Sequence, residues 1–210
     1  MDSFPAIAAQ RRAVADLLDG LTDEQWRTRT LCDAWTVHDM AAHLCTPWEA
    51  SIWRFGIAML RVGFDVDRAS EAVVARIAER PSSELVGILR ANADSRWTPP
   101  GSDWHAPLTD NFVHALDICV PLGLDAPGDP AQWPLILEFL VSEKARKGFV
   151  AGELPPLRIV ATDVGWAFGD GPEVEATAPA LALAILRRQA LLDQLTGEGA
   201  LQLAAWASTS

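Results

Sequence analysis

Apolar residues recur at helical spacing through the first three fifths of the chain. Between Phe4 and Leu21, the residues Ile7, Ala8, Val14, Leu17 and Leu18 share one stripe, which Gly20 and Thr22-Asp23 bring to an end. A connector, Leu31-Cys32-Asp33-Ala34-Trp35, leads into Thr36-Val37-His38-Asp39, which has the form of a capping box. There Thr36 caps the amide three residues on and Asp39 reaches back to it. The pattern then predicts a long helix from Val37 to Val62, closing near Gly63. A third helical stretch runs from Val66 to Ala93, with a break and a fresh start at Pro81-Ser82-Ser83-Glu84. From Trp97 to Pro107 proline and glycine are too frequent for regular structure. A fourth helix is expected from Leu108 to Val120, and another from Trp133 to Lys144.

The last third changes period. Leu157 to Thr162 has the β-branched content and alternation of a strand, and Gly165 to Phe168 and Glu173 to Thr177 read as two more, joined by the turn Gly169-Asp170-Gly171. Pro179 to Leu186 is helical again, Gln189 to Leu195 reads as a second short helix, and Leu201 to Trp206 as a strand closing the sheet. With the change of character near Lys147 to Pro156, the expected organisation is a helical bundle over residues 1–147 followed by a small α+β domain over residues 148–210.

Composition narrows the function classes. Half of the residues are hydrophobic, enough for a core without disulfides, and no apolar run approaches the ~20 residues that span a bilayer. The start, Met1-Asp2-Ser3-Phe4-Pro5, has neither the basic nor the apolar region of a secretion signal, so a cytoplasmic location is expected, with no membrane partner. A formal net charge of -11, from 17 Lys and Arg against 28 Asp and Glu, makes the average interaction with phosphate repulsive and excludes nucleic acid as a partner. The three cysteines, Cys32, Cys45 and Cys119, lie far apart and form no zinc-binding pair, so they read as reduced and mostly buried thiols.

Any metal site therefore falls to histidine and carboxylate. The four histidines are His38, His43, His105 and His114. Asp110-Asn111-Phe112-Val113-His114 sets a carboxylate and an imidazole four residues apart, on one face of a helix. Two ligands so spaced hold one ion without backbone strain, although such a pair is more often an ordinary ion pair. His43, among small apolar residues in Met40-Ala41-Ala42-His43-Leu44, is the candidate third ligand. A core histidine of this kind is also commonly satisfied by a backbone carbonyl. Asp39 and Asp117, four before His43 and three after His114, are candidates to orient the ligand rings. His38, in a first helical turn, is expected to be solvated, and the tryptophans read as core or cavity wall.

Resemblance decides between these readings. Leu21-Thr22-Asp23-Glu24-Gln25-Trp26 followed by Leu31-Cys32-Asp33-Ala34-Trp35-Thr36-Val37-His38-Asp39-Met40-Ala41-Ala42-His43-Leu44 resembles the first metal-ligand segment of DinB-like bundle proteins, and more narrowly of the mycothiol-dependent maleylpyruvate isomerase family. That family continues with a Glu-x-x-x-His helix, here Asp110 to His114 followed by Ala115-Leu116-Asp117. It ends in a sterol-carrier-like lobe, similar to the stretch from Gly171-Pro172 through Leu192-Asp193-Gln194-Leu195-Thr196-Gly197-Glu198-Gly199.

The resemblance implies a DinB-like up-down four-helix bundle with a small α+β C-terminal domain. It implies a divalent metal, zinc or another transition metal, on His43, Asp110 and His114, with aspartate where the family has the longer glutamate. It implies Arg188 as an active-site arginine, preceded by Arg187 where a glycine is more usual. Trp104 and His105 would line the cofactor pocket. The cofactor implied is a low-molecular-weight thiol such as mycothiol, acting as nucleophile on a small electrophilic substrate in an isomerase or S-transferase. A metal-dependent hydrolase, with Asp39, Glu49 or His105 as base, and a non-catalytic metal protein with an apolar ligand are the rival readings. The chain is expected to be a monomer or a homodimer.

Overall fold

Pro5 starts the first helix where an amide hydrogen is not needed, and α1 (Phe4–Asp19) buries the stripe Ile7, Arg11, Val14 and Leu18. This is a computed structural model that describes residues 3–32, 34–50, 66–150 and 152–209. A capping box opens the single turn α2 (Asp23–Trp26), and another opens α3 (Val37–Leu44). The expected long helix instead breaks at Cys45, and α4 (Thr46–Glu49) begins with Pro47 near its start. Proline has no amide hydrogen to give and its ring crowds the carbonyl four residues back, so the first helix stops there. The rest of that expected helix, at residues 51–65, lies outside the described residues. The third stretch divides at Pro81 as anticipated, into α5 (Val66–Ile77) and α6 (Ser82–Ala91).

The next helix, α7 (His105–Leu122), starts three residues before the expected position. Pro107 falls in its first turn, where its missing hydrogen costs nothing, and Gly123 ends it with a left-handed φ of 64°. Helix α8 (Trp133–Leu140) follows. The strands β1 (Arg158–Ala161), β2 (Trp166–Phe168) and β3 (Glu173–Ala176) form a mixed sheet in the order β2-β1-β3. β1 pairs antiparallel with β2, Val160 opposite Ala167, and parallel with β3, Ile159 opposite Val174. The turn between β2 and β3 crosses close beneath residue 157: a Cβ on Gly169 would lie 2.3 Å from the Leu157 carbonyl oxygen.

Helix α9 (Ala178–Ile185) has the Asp163 carboxylate on its first amide, at 2.7 Å. Beyond it, Leu192–Gln194 makes only a 3-10 turn where a second short helix was anticipated. Leu201 to Trp206 does not close the sheet. It belongs to α10 (Ala200–Ala207), in which four alanines favour helix and Leu203 and Ala207, one turn apart, are buried.

The mostly helical N-terminal part is thus followed by a small three-stranded sheet with helices, and α7 serves both. Its Ala115, Ile118 and Cys119 pack with Val14, Leu18, Met40, Leu85 and Leu89 in the bundle. Its Leu108, Phe112, Val113 and Leu116 pack with α8, β1, β3 and α9 in a second core. A helix between two cores is apolar nearly all round, and its few polar groups must be paired or functional. Among the described residues, no helix is long and apolar enough to cross a membrane.

Candidate metal centre

Helix α3 delivers His43. Thr36 Oγ1 accepts from the Asp39 amide at 3.3 Å, and the Asp39 carboxylate accepts from the Thr36 amide at 2.9 Å and its hydroxyl at 2.6 Å. Asp39 is therefore a cap and does not orient a ligand ring. Val37, Met40, Ala41 and Leu44 anchor the helix in the core, which leaves His43 facing α7 with 21% of its side chain exposed. His38 is not solvated: its Nε2 lies 3.0 Å from the Ala78 carbonyl oxygen, and its ring meets Trp26 edge-on.

On α7 the four-residue spacing brings Asp110 Oδ1 to 3.3 Å from His114 Nε2, and the same oxygen lies 3.7 Å from His43 Nε2. The two imidazoles meet edge to face with centroids 4.9 Å apart. One ligand atom each from His43, Asp110 and His114 lies within 4.8 Å of the others, so the short aspartate does reach both histidines. Trp35 packs on His43 at 4.8 Å, and His43 Nδ1 is buried with no hydrogen-bond partner among the described residues.

The far side of His114 is held by a second carboxylate. Its Nδ1 lies 2.9 Å from Oδ2 of Asp117, which is 0% exposed. Arg188 donates to both Asp117 oxygens at 3.2 Å, and to the Leu186 carbonyl at 3.0 Å. Cys32, half-buried, donates to Asp117 at 3.4 Å and accepts from Arg188 at 3.1 Å. With Nδ1–H given to Asp117, a neutral His114 keeps its Nε2 lone pair for the side that Asp110 and His43 share.

Charge shapes the cluster in the metal-free chain. Burial disfavours a charged His114, but the Asp110 carboxylate and hydrogen bonds to Asp110, Asp117 and Cys32 outweigh it and hold its pKa well above the usual value. Burial would raise Asp110 and Asp117. His114 and His43 hold Asp110 well below the carboxylate range, and His114 with Arg188 lower Asp117. Two imidazole nitrogens and a carboxylate oxygen converging in this way are a donor set for zinc or a related divalent ion, and the residues fit that group. Cys32, His114 and Asp117 also converge within 4.8 Å, but there Asp117 is engaged by Arg188.

A cavity of about 150 Å³, room for a molecule near benzene in size, opens beside the triad. His43 and Asp110 line it with Arg11, Trp48, Trp97 and Phe149. A larger hollow of about 470 Å³ shares Pro99, Ala106 and Phe149 with it and reaches Asp103, Phe139 and Lys144. Trp104 and His105 are not brought to the triad. They stack on one another at 3.6 Å at the start of α7, where His105 also stacks on Phe139 and its Nδ1 lies 2.6 Å from Asp103. Glu49 is paired with Arg80.

Residues 7–119, just over half of the chain, match the family model of the mycothiol maleylpyruvate isomerase N-terminal domain. The chain belongs to that family. Among solved structures it resembles the mycothiol-dependent maleylpyruvate isomerase, with a TM-score of 0.57 at 13% identity over 95% of this chain and 92% of that one. A histidine-to-alanine mutant of that isomerase gives a TM-score of 0.61 at 14% identity with the same coverage. These likenesses show the isomerase fold over nearly the whole chain. No curated protein matches the sequence.

Two members of the site carry little signal in the sequence. Cys32 is one of three scattered thiols, and only the fold separates it from Cys45 and Cys119, whose pKa values burial pushes up to about 12 and about 11. Arg11 lies four residues after Ile7 and three before Val14, on the buried stripe of α1, and a charge on such a stripe was the available clue.

Proposed function

We propose that the chain is a divalent-metal-dependent enzyme that uses a low-molecular-weight thiol such as mycothiol as its nucleophile, in isomerisation or S-transfer on a small electrophile. The observation that carries this is the convergence of His43, Asp110 and His114 beside a cavity that His43 and Asp110 line, with His114 Nδ1 held against the buried Asp117 carboxylate. A divalent cation held by those three residues supplies, when bound, the positive charge that favours an ionised thiol near neutral pH.

The chain's own residues do the rest. Asp117 orients His114, and Arg188 and Cys32 fix Asp117, which gives Arg188 a positioning role through that carboxylate. Trp35 packs against His43 and holds its ring. Trp48, Trp97 and Phe149 wall the cavity and limit water beside the reacting atoms. The larger hollow, backed by the Trp104–His105 stack through Phe139, would receive the bulk of the thiol. Isomerisation results when the thiol sulfur adds to an electrophilic double bond, the carbon frame rotates and the sulfur departs; transfer results when the new C–S bond persists.

Two measurements test this reading. Purified without a histidine tag, the protein should carry about one divalent metal per chain, and His43→Ala and His114→Ala should not. Metal retained by both variants would end the assignment. Mycothiol or a cysteine-containing surrogate titrated into the cobalt-substituted protein should produce a sulfur-to-cobalt charge-transfer band. Its absence at saturating thiol would remove the thiol chemistry and leave the metal site standing.

A further inference from the structure

The cavity beside the triad and the larger hollow share three lining residues, Pro99, Ala106 and Phe149. A methyl and a pyrrolidine ring reach only a little way from the backbone, so the long side chain between the two spaces is that of Phe149. Its position is fixed from two directions. The Phe149 amide donates to the Ala145 carbonyl at 2.7 Å, and the amide of Val150, which is 3% exposed, donates to the same oxygen at 3.0 Å. Its ring meets Phe139 edge-on at 5.2 Å, Phe139 stacks on His105 at 5.6 Å, and His105 stacks on Trp104 at 3.6 Å. At the far end His105 Nδ1 lies 2.6 Å from the Asp103 carboxylate. A ring packed into such a row has little freedom to swing aside.

We propose that Phe149 is a specificity-determining residue that sets the girth of what extends from the hollow to the metal. The inference rests on the metal-and-thiol reading and adds the shape of its ligands. The thiol is a primary one, with its sulfur on an unbranched carbon and its bulk left in the larger hollow. The electrophile is no broader than a single six-membered ring. The volumes support this. The space at His43 and Asp110 is about 150 Å³, which benzene fills, and the hollow beyond Phe149 is about 470 Å³. In a cavity one ring across, the atoms next to a sulfur held at the triad come up against its walls, of which Phe149 is one. A close-packed wall takes no extra methyl or fused ring without displacing a side chain.

Two probes that share a hydroxyl and differ in girth test the partition without thiol or metal. Phenol and 1-naphthol can be titrated calorimetrically into the metal-free full-length protein. Phe149→Ala should bind 1-naphthol roughly tenfold or more tighter than the wild type, as the second ring becomes buried, and should change phenol by less than about threefold. The thiol arm uses the cobalt-substituted protein and its sulfur-to-cobalt band. N-acetylcysteine should bind the wild type roughly tenfold or more tighter than N-acetylpenicillamine, which has two methyls beside the sulfur, and Phe149→Ala should reduce that ratio to about threefold or less. Any intrinsic preference of cobalt for the less hindered thiol cancels between the two proteins.

Equal affinity for 1-naphthol in the wild type and a folded Phe149→Ala protein would overturn the partition. So would an equal gain for both probes, since that is general loosening and not a change of girth. If Phe149→Ala does not fold, Phe149→Leu decides by the same comparison, with an expected gain for 1-naphthol of about threefold. Absence of a band from either thiol refutes the thiol reading alone, because the phenol and naphthol comparison needs neither thiol nor cobalt.

Discussion

Asp110 and Asp117 lie seven residues apart on α7, two turns along one face, and the protein treats them in opposite ways. Asp110 keeps a third of its side chain exposed, lines a cavity and shares one oxygen with two histidines. Asp117 is sealed at 0% exposure and contacts His114, Arg188 and Cys32, which come from three separate segments. One carboxylate is left available for chemistry and the other is committed to holding the architecture. Between them His114 offers one nitrogen to each. A single ring can be both adaptable and fixed because its two nitrogens face different environments.

The largest effect should follow from breaking the sealed half. Asp117→Ala leaves the largely buried Arg188 guanidinium, 21% exposed, without its carboxylate partner, and denaturant unfolding of the metal-free protein should show a loss of about 3 kcal/mol. Metal affinity should also fall by about 10–100-fold because His114 loses its orientation. Asp110→Ala should invert that profile. Metal binding, followed by equilibrium dialysis, should fall by more than about a hundredfold, beyond the effect of losing an orienting partner. Metal-free stability should change by no more than about 1 kcal/mol, as for a partly exposed ion pair. Equal stability losses in the two variants would erase the distinction.

Acid and base sharpen it next. Because the folded-state pKa of His114 is raised, its stabilising contribution is complete below its unfolded value near ~6.5 and is lost as pH climbs through the raised value. Asp110 and Asp117 are lowered, so theirs is present above ~3.9 and is lost on acidification. The Tm of the metal-free protein should therefore fall at both ends of the pH range. With metal in place of the His114 proton the alkaline decline should vanish, and metal uptake below that raised pKa should release a proton measurable by calorimetry in buffers of differing ionisation enthalpy.

The smallest effect concerns the segment that carries Arg188. Arg187 adopts a left-handed φ of 60° at the position where the resemblance places a glycine, and its Nη1 donates to the Thr209 carbonyl at 2.6 Å while the guanidinium sits over Trp206. Arg187→Gly and Arg187→Ala both remove those contacts, but only glycine accepts that backbone without strain. The glycine variant should be the more stable by about 1 kcal/mol. No difference would mean that the local backbone relaxes.

What the sequence disclosed and what it hid divide along physical lines. Helix starts were legible where chemistry is local, as with Thr36 and Asp39, and so was the Asp110–His114 spacing, which helical geometry alone determines. The strand order was not, because nothing local to β1 says that β3 will pair with it in parallel. α10 was misread as a strand because its alternating Leu201 and Leu203 outweighed the alanines around them; tertiary packing buries Leu203 and leaves Leu201 85% exposed. Asp117 was one of two candidates to orient a ligand ring, and the choice depended on Arg188 arriving from 71 residues away.

A ridge common to two cores has a mechanical consequence. Since α7 gives Leu108, Phe112, Val113 and Leu116 to the C-terminal side and Ala115, Ile118 and Cys119 to the bundle, neither half can come apart without stripping a face from the helix that bears two of the three candidate ligands. Loading the centre should thus brace the distant sheet, and hydrogen exchange at β1 should slow when cation is added to a site in which no strand takes part.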